Sequence, residues 1–96
     1  MAKGSRGSVV AVQTSTTVLV AGRDTRRSVT FYNDDGTNPV YIQGQTPEET
    51  DDAAEAATTS HFKLKAGASI TLTGTGAFSA IATGGAVNVY IMDEYD

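Results

Sequence analysis

Arg26–Gly44, RRSVTFYNDDGTNPVYIQG, decides the fold of this chain. Ser28 to Tyr32 alternates, with Val29 and Phe31 on one face and Ser28, Thr30 and Tyr32 on the other. That period of two belongs to a half-buried strand. Asn33 to Pro39 then gathers nearly every turn-forming residue type into seven positions. Val40 to Gln43 resumes the alternation, Val40 and Ile42 inward and Tyr41 outward. The stretch therefore reads as two strands joined by a turn cluster. A second pair, Phe78–Thr83 and Ala86–Met92, is separated by Gly84-Gly85, whose access to positive φ suits a two-residue hairpin. Here Val87, Val89 and Ile91 take the inner face, and Asn88, Tyr90 and Met92 the outer.

Working outward, Val9–Gln13 and Thr16–Ala21 are Val/Thr-rich strands around a Gln13-Thr14-Ser15 turn, and Gly22-Arg23-Asp24 turns the chain again. Phe62 and Leu64 alternate with Lys63 and Lys65. Ile70 and Leu72 alternate with Ser69, Thr71 and Thr73. Phe78, Ala80 and Ala82 share a face, although Ile81 breaks the parity. About eight short strands at this spacing, with no crossover helices, predict an all-β fold, a small antiparallel β-sandwich of jelly-roll or Ig-like type. The expected core is Val29, Phe31, Val40, Ile42, Ile70, Leu72, Phe78, Val87, Val89 and Ile91.

Two segments differ in kind. Residues 1–8, MAKGSRGS, are small, basic and glycine-rich and read as a flexible N-terminal arm ahead of a single domain over 9–96. Residues 44–60, GQTPEETDDAAEAATTS, hold five of the eleven acids and no large apolar side chain. Thr46-Pro47-Glu48-Glu49 looks like a helix start, but the segment has little to bury, so 46–60 is expected as an exposed loop with at most one or two helical turns.

Ninety-six residues make one thin-cored domain. The chain has no cysteine and one histidine, which excludes thiol chemistry, disulfides and His-cluster metal sites. No apolar run reaches the roughly 20 residues of a membrane span, and the N-terminus lacks the apolar stretch of a signal peptide. The net charge of −4 argues against general nucleic-acid binding. That charge is uneven. Residues 1–32 carry Lys3, Arg6, Arg23, Arg26 and Arg27 against Asp24 alone, whereas 33–96 carry ten acids against Lys63 and Lys65. Such asymmetry suits an arm reaching an acidic neighbour, and equally two plainly solvated surfaces.

Candidate chemistry is sparse. His61 reads as an ordinary strand-edge histidine without an evident catalytic partner. Asp51-Asp52 with Glu48, Glu49 and Glu55 lack the alternating ligands and shaping glycine of a calcium loop and read as a solvated acidic loop. Asp34, Asp35, Gly36 and Asn38 resemble such a loop more closely, yet a tight turn demands the same residues. Asp93, Glu94 and Asp96 read as a charged tail. No phosphate loop or Gly-x-Ser-x-Gly motif occurs. Tyr32, Tyr41, Tyr90 and Tyr95 are scattered in the sequence. No catalytic residue, cofactor or metal is expected.

The order of features resembles a group of small structural proteins of tailed bacteriophages. The resemblance rests on an Arg followed by a strand ending in Asn (Arg26 or Arg27, then SVTFYN) and on Pro39-Val40-Tyr41-Ile42. It continues through the turn from Leu64 to Gly67 leading into Ile70–Leu72, then Phe78-Ser79-Ala80-Ile81-Ala82, a glycine pair and Val87-Asn88-Val89. It spans residues 9–92. It implies a non-enzymatic virion component, a capsid decoration (cement) protein that bridges capsomers, made in the host cytoplasm and carried on the capsid surface. The major capsid protein is the implied partner, with a homo-oligomer, a trimer foremost, and neither nucleic acid nor membrane. The alternative is a receptor- or glycan-binding module of a fibre or tail. The arm and the strand start beside it, Lys3, Arg6, Val9 and Val10, are the expected partner-binding residues, through strand addition and salt-sensitive attraction.

Overall fold

A computed structural model describes residues 4–44 and 61–96. Lys3 and the expected loop over 46–60 lie outside the described residues. Eight strands follow in order: β1 (Gly4–Val12), β2 (Thr17–Val20), β3 (Arg26–Asn33), β4 (Val40–Gly44), β5 (Phe62–Leu64), β6 (Ser69–Leu72), β7 (Phe78–Ala82) and β8 (Val87–Tyr95). They form two four-stranded antiparallel sheets, ordered β1-β8-β3-β6 and β2-β7-β4-β5. No helix occurs among the described residues.

The topology has a simple generating rule. β4 pairs β5, β3 pairs β6, β2 pairs β7 and β1 pairs β8, all antiparallel. The first half of the chain thus runs back along the second as one long two-stranded ribbon. Rolling that ribbon adds the pairs β3·β8 and β4·β7 and closes each sheet. This is a jelly roll, one of the two sandwich types the strand pattern predicts. It places every chain-adjacent pair except β4–β5 in opposite sheets.

That rule corrects both expected hairpins. β3 and β4 flank the turn cluster but lie in different sheets, as do β7 and β8 around Gly84-Gly85. The glycines still carry a turn: Gly85 has φ +113°, and Gly84 sits where a Cβ would stand 2.8 Å from the Asn38 side chain. They make a corner between layers, which requires positive φ just as a hairpin turn does.

The core forms where the inward faces meet. Val29, Phe31, Val40, Ile42, Phe78, Val87, Val89 and Ile91 are buried as expected, joined by Val12, Leu19, Leu64, Ala80 and Ala82. Ile70 and Leu72 are only half-buried, because β6 is a sheet edge with one flank open. Phe31 of one sheet meets Phe78 of the other edge-to-face, ring centroids 5.5 Å apart, the favoured geometry for an aromatic pair. The alanines of β7 leave room for these rings in the narrow space between layers.

A further correction concerns the arm. Gly4 to Ser8 are strand, the first part of β1, in unbroken register with β8 from Gly4↔Tyr95 to Val12↔Val87. Glycines without side chains to pack still donate and accept in a ladder, and the long β8 supplies partners as far as Tyr95.

Candidate interaction surfaces

Two polar clusters organise the ends of the sandwich. At one end the Arg26 side chain is fully buried. Its Nε donates to Asp93 Oδ1 at 2.9 Å, its Nη1 to the Gly76 and Gly74 carbonyls at 2.7 and 3.3 Å, and its Nη2 to the Ala21 carbonyl at 2.6 Å. One guanidinium thereby ties β3, β8, the β6–β7 loop and the end of β2 together, using the planar fork that makes Arg suited to such sites. Arg23 Nε lies 3.3 Å from the other Asp93 oxygen, with its guanidinium 4.1 Å above the Tyr95 ring. Asp93 is thus buried and doubly paired within β8, not part of a charged tail.

At the other end Asn33 is buried. Its Nδ2 donates to the carbonyls of Asn38 and Leu64, and its Oδ1 accepts from the Asp35 amide. The Asp35 carboxylate accepts from the amides of Thr37 and Asn38 at 2.8 and 2.6 Å. These bonds to Asn38 and Thr37 hold the Asp35 carboxyl below the usual carboxylate range. The cluster Asp34, Asp35, Gly36 and Asn38 therefore carries turn chemistry. His61 precedes β5 and is half-buried.

The four sheet edges differ sharply. β2 is four residues long and bulged between Val18 and Val20, β5 has three residues including Lys63, and β6 has four. β1 runs for nine residues in regular register, without proline or bulge, and nothing among the described residues pairs with its outer flank. Of the usual devices that blunt an edge, β1 lacks shortness, bulges and proline, and carries one charged residue, Arg6. Between β1 and the neighbouring edge strand β2 lies a cleft of about 410 Å³, lined by Arg6, Ser8, Leu19, Ala21, Arg23 and Asp93 among others. Of the expected binding residues, Arg6 is exposed at this cleft. Val10 faces the same side of β1 and packs against the core, while Val9 points to the opposite side.

Val9 belongs to a second surface, the outer face of its sheet. The register aligns Val9 with Tyr90 and Tyr32, and Gly7 with Met92, Thr30 and Thr71. Val9, Tyr32, Tyr90 and Met92 are 53, 39, 48 and 44 % exposed and surround a shallow groove of about 420 Å³. The Tyr32 and Tyr90 rings are 6.5 Å apart. Two tyrosines scattered in the sequence are neighbours in the sheet. Their shared outward parity was visible, but their pairing depended on the long-range β3·β8 register. Among the register-paired outward positions of this sheet the one charged residue is Glu94, and exposed Arg27 lies in the adjacent bulge, 3.8 Å from Asp96.

The fold defines a jelly-roll module whose longest edge strand, β1, has an outer flank unpaired among the described residues. No protein family model matches the chain, and no curated protein matches it. The structure is similar to a solved structure from work describing Bacillus endospore appendages as a family of disulfide-linked pili. Its TM-score is 0.61 over 98% of this chain and 86% of that one, at 16% identity. At that identity the likeness is one of fold.

Proposed function

We propose that this chain is a non-enzymatic virion structural protein, a decoration protein that attaches to the head of a tailed bacteriophage through the free edge of β1. The observation that carries this reading is the nine-residue, regular β1 edge beside a basic cleft. Strand addition to such an edge supplies a row of main-chain hydrogen bonds, and flanking side chains supply selectivity. The polar groups at both ends of the sandwich are engaged in holding the fold, which leaves the edges and faces for function. The major capsid protein is the partner and a homotrimer the bound form in this reading, both taken from the sequence resemblance. The fold likeness to a pilus-associated protein agrees with a role in assembly. Disulfide links between copies are not available to a chain without cysteine.

Two proline variants test the edge. Successive N–H groups of a strand point to opposite flanks, so of Ser8→Pro and Val9→Pro one removes a bond to β8 and the other removes only a donor on the free flank. The free-flank variant is expected to keep its fold and lose binding to tailed-phage heads assembled without this chain. Undiminished binding by both folded variants refutes edge docking.

The Tyr32–Tyr90 pair favours a second reading, a receptor- or glycan-binding module. An exposed aromatic pair on a Ser/Thr-rich face offers apolar ring surface beside hydroxyls. Tyr32→Ala and Tyr90→Ala abolish glycan-array binding if that reading holds and leave head binding intact if it does not.

A further inference from the structure

We propose that the cleft between β1 and β2 recognises a carboxylate on the strand that adds to β1, so that the docked partner is an acidic extended segment of a different protein. This rests on the edge-docking reading and adds the partner's chemistry. Three guanidiniums, of Arg6, Arg23 and Arg26, gather around the single carboxylate of Asp93, in a chain whose net charge is −4. Asp93 is already committed at both oxygens, to Arg26 and to Arg23. Arg6 is its direct cross-strand neighbour, yet forms no ion pair among the described residues. Positive charge is therefore left over at the one place where a partner strand would arrive.

The strand geometry then fixes where the partner's charge must sit. Arg6, Ser8 and Val10 share the β1 face that turns toward the cleft and the core, on the parity of buried Val12. A residue placed opposite Arg6 on an added strand projects to that same face, over the mouth of the cleft. A Glu or Asp there meets Arg6 directly and Arg23 across the cleft, while two residues further along a side chain meets Ser8 or Val10. An arginine fork donates two parallel hydrogen bonds to a carboxylate.

The occupant follows from charge complementarity. The other free edges, Thr17-Val18-Leu19-Val20, Phe62-Lys63-Leu64 and Ser69-Ile70-Thr71-Leu72, contain no Asp or Glu, and Lys63 would bring like charge to Arg6. The β1 edge of a second copy, Gly4–Val12, also lacks an acid and carries Arg6, so no described edge of a second copy satisfies the cleft. An acidic strand from another chain does.

The test uses three nine-residue peptides of alternating Thr and Val whose central residue is Glu, Gln or Lys, titrated into the isotope-labelled full chain and followed by amide NMR shifts along β1. The Glu peptide is expected to bind roughly fivefold tighter than the Gln peptide at low salt. The preference should shrink at 0.5 M salt, on the order of a 4 Å screening length. In Arg6→Glu, with its fold checked by circular dichroism, the order reverses in favour of Lys. Equal shifts from Glu and Gln peptides overturn acid recognition and leave edge docking standing. If no peptide perturbs β1, edge docking and acid recognition fall together.

Discussion

Removing the carboxylate of Asp93 is the sharpest test of how this small sandwich is held closed. In Asp93→Ala the Arg26 guanidinium loses its only ionic partner within the buried cluster, while its side chain has no exposed surface through which water could replace it. Breaking a buried pair in this way costs about 3–5 kcal/mol, because the surviving charge stays desolvated. Arg23 adds little to that figure, since its side chain is about a third exposed and can be rehydrated. A chain of this length has a total stability on the order of 5–14 kcal/mol. With a urea m-value of about 1 kcal/mol/M, the unfolding midpoint should fall by roughly 3 M or more. Asp93→Asn keeps the shape and removes the charge, so it should lose most of the same amount. Replacing both partners, Arg26→Met with Asp93→Leu, should recover only part of it, because the carbonyls of Ala21, Gly74 and Gly76 also lose their donor. Urea denaturation followed by circular dichroism measures all three. Midpoints for both single variants within about 1 M of wild type would refute the claim that this ion pair closes the end of the sandwich.

Phe31→Ala removes the ring that meets Phe78 across the layers and should cost about 3–5 kcal/mol, enough to leave the domain largely unfolded in a thermal melt. Asp35 titrates below the usual carboxylate range in the folded chain, so its contribution is present above about pH 4 and disappears as pH falls through its lowered value. Asp35→Asn should therefore flatten the acid limb of a stability–pH curve, lowering stability at neutral pH and converging on wild type well below about pH 4. An unchanged acid limb shows that Asp35 is not a source of it.

All eight strands left a trace in the sequence, β3 to β8 mainly through alternation and β1 (from Val9) and β2 through their Val and Thr content. What alternation cannot report is which strand lies beside which. Gly84-Gly85 and Asn33–Pro39 carry the same turn residues whether the chain doubles back within a sheet or steps across to the next. The choice fell to distant partners: β8 gains β1 and β3, which set Val12 opposite Val87, Val10 opposite Val89 and Phe31 opposite Ile91. Asp93 was misread for a related reason. The inward series Val87, Val89, Ile91 points on to position 93, but an acid near the end of a chain looks like a solvated tail until a buried arginine 67 residues away is known to face it. The N-terminal segment was misread because glycine and serine lower strand propensity, and only the length of β8 shows that a ladder partner exists. Val9 and Val10 were named as partner-binding residues and lie on edge strand β1, and Arg6 was named for its charge. Its place beside Arg23 and Asp93 needed the fold.

The most direct test of the central claim is a cryo-electron microscopy reconstruction of tailed-phage heads carrying this chain. The edge-docking reading predicts jelly rolls on the outer head surface, with a strand of the head protein about 4.8 Å from the free flank of β1 and a carboxylate-bearing residue over Arg6. Heads that bind no chain, or jelly rolls seated with β1 facing solvent, would contradict it.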